Sequence, residues 1–257
     1  MKFMWFLLLI LFFIWLWVSN LTIGVTRYKL KSNKLNDDIK IVQISDLHNT
    51  NWGYTLIKKV KKEKPDLIVI TGDLLDYYEP NIDVVKYLLQ ELKSLCPIYY
   101  VTGNHEGYSE NLKLFLDFLK EMGIFVLENK SVYINEKIKL IGINDPSIDG
   151  FENINVVLEK EKEEDKYNIV LCHRPELFEE YVKSDVDLVI TGHAHGGQFR
   201  IPFIGGLYVP NQGIFPKYDA GLFKKENTTM VVSRGLGNSV FPIRINNRPE
   251  LVVIEIY

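Results

Sequence analysis

The sequence predicts an α/β protein in which two packed mixed β-sheets are flanked by helices, an αββα sandwich, preceded by one transmembrane helix. Three features lead there. Short β-branched runs alternate with helically spaced apolar residues through the first half of the chain, which gives βαβ units with parallel strands. The second half adds strand-like pieces with no long helix between several of them, and so antiparallel pairing. The N-terminus is of a different composition from the rest, apolar almost throughout.

From Phe3 to Val18, sixteen consecutive residues are apolar. Residues 3–25 as a helix would reach roughly 34 Å, enough to cross a bilayer core. Only Lys2 precedes the run and no A-x-A-like site follows it, so an uncleaved single-pass anchor over 1–26, in the cell membrane, is favoured over a signal peptide. Arg27, Lys29, Lys31 and Lys34 follow the span, a positive-inside bias that leans towards a cytoplasmic domain. Residues 27–38 read as a basic linker and 39–257 as one domain.

Within that domain, Ile39–Ile44 is a β-branched strand running into Asp46. Residues 54–64 form a helix with apolar Leu56, Ile57 and Val60 among lysines, stopped by Pro65. Leu67–Thr71 is a fully apolar strand ending in Gly72-Asp73, and 82–95 carry helical spacing. Residues 98–102 are a strand ending in Gly103-Asn104-His105, and 112–122 a helix closed by Gly123. Strand-like pieces follow at 125–127, 131–134 and 138–143, then a charged helix near 154–164, strand 168–172, helix 175–183 and strand 187–191. Residues 199–257 are rich in Gly and Pro and end in short strands, including 251–256.

Composition excludes more than it assigns. A hydrophobic content of 47% with 25% charged residues describes a globular chain, and a net charge of −3 gives no footprint for nucleic acid. Cys96 and Cys172 form no CxxC pair, which argues against zinc-finger and redox readings. The lysines at 58, 59, 61, 62 and 64 read as a solvated helix face, with contact to anionic lipid as the lesser alternative.

The five histidines are the informative residues, because each follows a strand-like run and four of the five sit in a short motif beside Asp, Asn or Gly. These are Asp46-Leu-His48, Gly103-Asn104-His105-Glu106, His173-Arg-Pro, and Gly192-His193-Ala-His195. Strand ends are where open α/β sheets place their sites, so the imidazoles should gather along one rim. Carboxylate, amide and imidazole form a mixed ligand set that suits Mn, Fe, Zn, Co or Ni better than Ca or Mg alone. Two ions roughly 3.5–4 Å apart clamp the attacking and departing oxygens of a phosphoryl displacement and acidify a water near them.

In this order, Asp46-x-His48, Gly72-Asp73-x-x-Asp76, Gly103-Asn104-His105-Glu106, His173 and Gly192-His193-x-His195 resemble the calcineurin-like metallophosphoesterase superfamily. The His193–Gln198 run and the N-terminal span are similar to its small bacterial membrane-associated phosphodiesterase branch. The resemblance implies that Asp46, His48, Asp73 and His195 hold one divalent ion, and that Asp73 bridges to a second completed by Asn104, His173 and His193. It implies that His105 is no ligand but faces the scissile phosphate as general acid or charge stabiliser, with Asp76 orienting it. Read alone, Asp76 caps a turn near Tyr77 equally well, and Glu106 carries no assigned role.

Three function classes follow: a membrane-tethered phosphodiesterase or pyrophosphatase, a phosphomonoesterase or protein phosphatase on the same metal core, and a silent metal-binding scaffold. Some relatives cleave UDP-2,3-diacylglucosamine, so a lipid-linked substrate is a candidate by analogy, with membrane lipid as the partner. Residues 199–223, dense in aromatics, favour a loop folded back with its rings buried; an apolar wall for an acyl or prenyl chain is the alternative. Arg174, Arg200, Arg234 and Arg244 are the candidates for a substrate phosphate contact.

Overall fold

Runs rich in β-branched residues form the strands, and runs with apolar residues every three or four positions form the helices. The computed structural model describes residues 2–78, 80–150, 153–238 and 241–257. The strands are β1 (Gly24–Leu30), β2 (Ile39–Ile44), β3 (Leu67–Thr71), β4 (Ile98–Val101), β5 (Phe125–Val126), β6 (Lys130–Tyr133), β7 (Ile138–Gly142), β8 (Tyr167–Leu171) and β9 (Leu188–Thr191). Four two-residue strands follow, β10 (Arg200–Ile201), β11 (Gly205–Gly206), β12 (Tyr208–Val209) and β13 (Gly213–Ile214), then β14 (Gly221–Lys225), β15 (Thr228–Val232) and β16 (Glu250–Ile256). The helices that matter below are α1 (Lys2–Leu21), α2 (Tyr54–Glu63), α3 (Ile82–Lys93), α4 (Asn104–Gly107), α5 (Leu112–Glu121), α6 (Pro146–Asp149), α7 (Asn153–Glu161) and α8 (Phe178–Lys183).

One six-stranded sheet has the order β1-β16-β2-β3-β4-β5 and the other β14-β15-β9-β8-β7-β6. Both are mixed: β2 to β5 run parallel, as do β7, β8, β9 and β15, while β16 meets β2 antiparallel and β14 meets β15 antiparallel. Helices lie outside each sheet, so the molecule is the four-layer sandwich the sequence predicts. Three apolar layers hold it. Leu56, Leu89 and Leu116 of α2, α3 and α5 pack on Val42, Ile44 and Ile70. Ile41, Val69 and Val101 meet Leu140, Ile169 and Ile190 between the sheets. Leu158 of α7 and Tyr181 of α8 cover Ile141, Val170 and Val189. Both faces of the central strands are thus buried, which is why β3 and β9 read as nearly unbroken apolar runs.

The linker expected over 27–38 is only partly a linker. Gly24–Leu30 is an edge strand paired parallel with Glu250–Ile256 in full register. Tyr28 and Leu30 turn towards the inter-sheet core while Arg27 and Lys29 face out, a period-two pattern that the cluster of basic charges conceals. Arg27 and Lys29 pair with Glu63 and Glu255 respectively, so two of the four charges behind the positive-inside bias serve the fold. The apolar helix α1 stops at Leu21, and Ile23 already packs in the core of the domain. At 20 residues, α1 is about 30 Å long, with a mean hydropathy of 2.2 over its apolar window.

Candidate active site

Every candidate ligand, with His105 beside them, stands just past the C-terminal end of a parallel strand: Asp46 and His48 after β2, Asp73 after β3, Asn104 and His105 after β4, His173 after β8, His193 and His195 after β9. The first sheet supplies one half and the second sheet the other. Gln43 of β2 ties the halves together, its Nε2 donating to Thr71 Oγ1 and to the carbonyl of Thr191, each at 2.8 Å. A polar side chain between the apolar residues at the end of β2 is the sequence trace of this tie.

The local backbone is forced. Asp46, His48, Asp73, His193 and His195 all have φ between 45° and 65°, the left-handed region that side chains rarely adopt. Such strain concentrates where structure holds functional groups in place. Two glycines permit the close approach of β3 and β4: a Cβ on Gly72 would lie 2.6 Å from Gly103 Cα, and one on Gly103 would lie 2.1 Å from Asp73 Oδ1. Glu106 joins the same loops, its carboxylate accepting from the backbone N–H groups of Asp73 (2.9 Å), Gly103 (2.9 Å) and Leu75 (3.1 Å).

The side chains converge on Asp73. Its Oδ2 lies 3.2 Å from His173 Nε2 and 3.6 Å from His48 Nε2, and His195 Nε2 lies 3.3 Å from Asp46 Oδ1. Asp46, His48, Asp73 and His195 form one group of candidate ligand atoms within 4.8 Å of one another, and Asp73, His173 and His193 form a second. Asp73 belongs to both. His173 Nδ1 donates to the Thr71 carbonyl at 2.7 Å, which turns Nε2 towards the carboxylates. His105 accepts at Nδ1 from the Tyr77 N–H at 3.0 Å.

Asp76 stands between the two rings, 3.7 Å from His48 Nδ1 and 4.0 Å from His105 Nδ1. The orienting hydrogen bond expected from Asp76 to His105 is therefore not made, because the Tyr77 amide occupies that nitrogen. Asp76 Oδ1 accepts instead from Tyr78 N–H at 2.8 Å, the turn-capping alternative.

Burial sets the electrostatics. Desolvation pushes the Asp46 carboxyl up to about 6, whereas His173 and His48 outweigh the same burial at Asp73 and hold it well below the usual range. Burial lowers His48 to about 4 and holds His193 and His195 well below their ordinary value, keeping three imidazoles neutral. At His173 burial opposes the cation, but Asp73 and Asp46 prevail and raise it to about 10. Burial, with Asp73 nearby, raises Glu106 to about 7.

The donor set fits metal ions. Asn104 Oδ1, Asp46 Oδ2 and His173 Nε2 are buried with no hydrogen-bond partner among the described residues, a costly arrangement for groups that would otherwise be paired. Neutral imidazole, carboxylate and amide oxygens converging in this way are what divalent cations bind.

Of the four candidate arginines, only Arg174 lines the cleft above these residues, a cavity of about 460 Å³ that also touches Asn104, His105, Tyr208 and Phe241. Its guanidinium is held by both Asp145 oxygens, at 2.6 and 3.0 Å, and its Nη1 lies 2.9 Å from His193 Nε2. Arg200 pairs with Asp219. Arg234 caps no part of the cleft, and Arg244 is fully buried, bound to the carbonyls of Arg234 and Gly237. That loop in turn grips the strand end that carries Asp46, Leu236 N–H donating to the Ser45 carbonyl at 3.0 Å. The aromatics of 199–223 divide: Tyr218 and Phe223 pack in the outer core, whereas Phe203, Tyr208 and Phe215 are exposed, against the expectation of a loop with its rings buried.

Paired carboxylate–imidazole groups at the strand ends of an αββα sandwich define a dimetal phosphoesterase. The chain belongs to the calcineurin-like phosphoesterase family, whose model matches residues 39–197. It is 34% identical over 244 residues to a metallophosphoesterase of Aquifex aeolicus, covering 90% of this chain and 91% of that one. It is 30% identical over 229 residues to the phosphodiesterase YaeI of Escherichia coli, covering 84% and 82%. Among solved structures, a dimetal phosphatase from Danio rerio shares the fold, with a TM-score of 0.50 at 11% identity over 77% of this chain and 87% of that one.

Proposed function

We propose that the chain is a membrane-tethered enzyme that hydrolyses a phosphodiester or pyrophosphate bond, with α1 as an uncleaved single-pass anchor. In this reading Asp46, His48, Asp73 and His195 would hold one divalent ion, and Asn104, His173 and His193 would hold a second, with Asp73, common to both groups, shared between them. Such ions, of Mn, Fe, Zn, Co or Ni, supply positive charge to the phosphoryl oxygens and acidify the attacking water. The chain's own residues do the rest. Asn104 and His105 line the cleft where the phosphoryl group would lie, and His105 carries a proton on Nε2, since Nδ1 accepts from Tyr77. That N–H donates a hydrogen bond to a phosphoryl oxygen and stabilises the charge that develops there.

The observation that carries the diester over the monoester is Arg174. It is the only cationic side chain lining the cleft among the described residues, and both oxygens of Asp145 neutralise it. Beyond the ions themselves, no side chain matches the extra charge of a monoester dianion, whereas a diester carries one charge and a second substituent. The walls formed by Tyr208, Pro210 and Phe241 give that substituent an apolar surface. A lipid-linked pyrophosphate such as UDP-2,3-diacylglucosamine has this character. The test compares a bis-aryl phosphodiester with the corresponding monoester, using full-length protein loaded with Mn²⁺. Faster hydrolysis of the diester is expected; preference for the monoester would overturn the reading, and inactivity on both would leave a metal-binding scaffold.

A further inference from the structure

We propose that the rim bearing the metal ligands lies against a lipid bilayer, with the exposed apolar side chains around the cleft set among the headgroups, so that the substrate phosphoester is carried by a membrane amphiphile. This rests on the tethered reading above.

Strand direction is the first argument. β16 runs parallel to β1 and antiparallel to β2, with Gly24 opposite Glu250 and Val252 opposite Gln43. The start of β1 therefore lies at the same end of the sheet as the end of β2, where Asp46 follows Gln43 by three residues. α1 ends three residues before β1 begins, so the apolar helix leaves the domain at the catalytic rim.

The second argument is rigidity. Asn20 Nδ2 donates to the Arg244 carbonyl at 3.0 Å while Arg244 N–H donates to Asn20 Oδ1 at 2.7 Å. Arg248 donates to the Ile23 carbonyl at 3.0 Å, and Ile23 itself is core. A chain fastened in this way does not let the domain swing freely beneath a long tether. It fixes which face meets the membrane.

That face is apolar. Phe203 at a hairpin tip is fully exposed, and Ile204, Phe215, Phe241 and Ile243 are each more than half exposed. Ile243 is the immediate neighbour of the residue that binds Asn20, and Gln198, which lines the cleft, donates to the carbonyls of Phe241 and Ile243 at 2.8 and 2.9 Å. The Phe241–Ile243 part of this surface thus adjoins both the helix exit and the cleft wall. Clustered apolar side chains of this kind mark an interaction surface, and the adjoining 20-residue apolar helix specifies a bilayer as the occupant.

The test uses the full chain carrying Cys96→Ser, since Cys172 is fully buried. Phe203→Cys, or Glu136→Cys in the turn between β6 and β7 at the opposite end, is labelled with an environment-sensitive fluorophore. Each is reconstituted into phosphatidylcholine–phosphatidylglycerol vesicles containing doxyl lipid. Quenching at position 203 with none at 136 is expected. A chain that resists carbonate extraction yet shows no quenching at 203 would overturn the proposal and leave the tether standing. Release of the chain by carbonate would end the tether reading, while the fluorophore still reports on the patch. Protection of position 203 by a second copy, seen as a dimer in detergent with no quenching in vesicles, would also overturn it. The paired substitution Phe203→Ser with Phe215→Ser should leave a soluble diester's turnover unchanged and lower that of a long-chain aryl diester in the vesicles by roughly tenfold; equal effects on both substrates would count against the proposal.

Discussion

The backbone N–H of Tyr77 donates to Nδ1 of His105 at 3.0 Å, which leaves the ring's other nitrogen to carry its proton. A backbone donor cannot change its charge, so the tautomer is fixed by the fold. His105→Ala should leave the metal content unchanged and lower kcat by roughly 10²–10³-fold, the usual scale for losing a hydrogen-bond donor to developing charge. Elemental analysis beside steady-state kinetics checks this; an emptied metal site would make His105 a ligand.

Asp76 acts through that same turn. Its Oδ1 accepts from Tyr78 N–H, and Asn in its place keeps an oxygen there. Asp76→Asn should therefore retain most of kcat, while Asp76→Ala should lose it as the Tyr77 amide drifts from His105. If the two variants fall together, the negative charge of Asp76 matters and the turn is not its role.

Asp73 faces both ligand groups, with Oδ2 at 3.2 Å from His173 Nε2 and at 3.6 Å from His48 Nε2. Wild-type protein should hold about two transition-metal ions per chain, and Asp73→Asn should lose both because the shared position loses its charge. Mass spectrometry of the metals decides it. One ion per chain in a fully active preparation would end the dinuclear reading.

Metal binding should release a proton from His173. In the ion-free protein Asp73 and Asp46, working against burial, raise this imidazole to about 10. Its folded value thus lies above the unfolded value of about 6.5, so the stabilisation is complete below about 6.5 and is lost as pH rises through about 10. Ion-free protein should accordingly become easier to denature with urea across that window. Metal affinity should move the opposite way and rise with pH, because ligation needs neutral imidazole. Calorimetry in buffers of differing ionisation enthalpy counts the proton; none released near neutral pH would contradict the assignment.

Glu106 is a clamp whose loss should be felt in stability before chemistry. Removing its carboxylate leaves the buried N–H groups of Asp73, Gly103 and Leu75 without their acceptor. Glu106→Ala should cost roughly 2–5 kcal/mol, given the usual penalty for each unsatisfied buried donor. Thermal denaturation measures this directly, and an unchanged midpoint would show that water replaces the carboxylate.

Much of this molecule is legible in one dimension. The layered α/β order follows from periodicity, since a strand buried on both faces must be apolar throughout and a helix covering it must be apolar on one stripe. The candidate ligands are legible because side chains that chelate together follow strands that end together. Relationships between distant segments are not written locally. The strand Gly24–Leu30 looks like a basic linker until Glu250–Ile256 supplies its hydrogen bonds, more than two hundred residues later. The four arginines look alike, and only packing decides that Arg174 lines the cleft while Arg244 is buried beneath the loop that holds Asp46. Asp76 looked able to hold His105, but a backbone amide reached the nitrogen first. The sequence alone determined which residues could bind and donate, because that is a matter of side-chain chemistry and strand order. Tertiary structure decided which of them meet, in what tautomer and beside which apolar surface, because those depend on contacts between residues that no local pattern brings together.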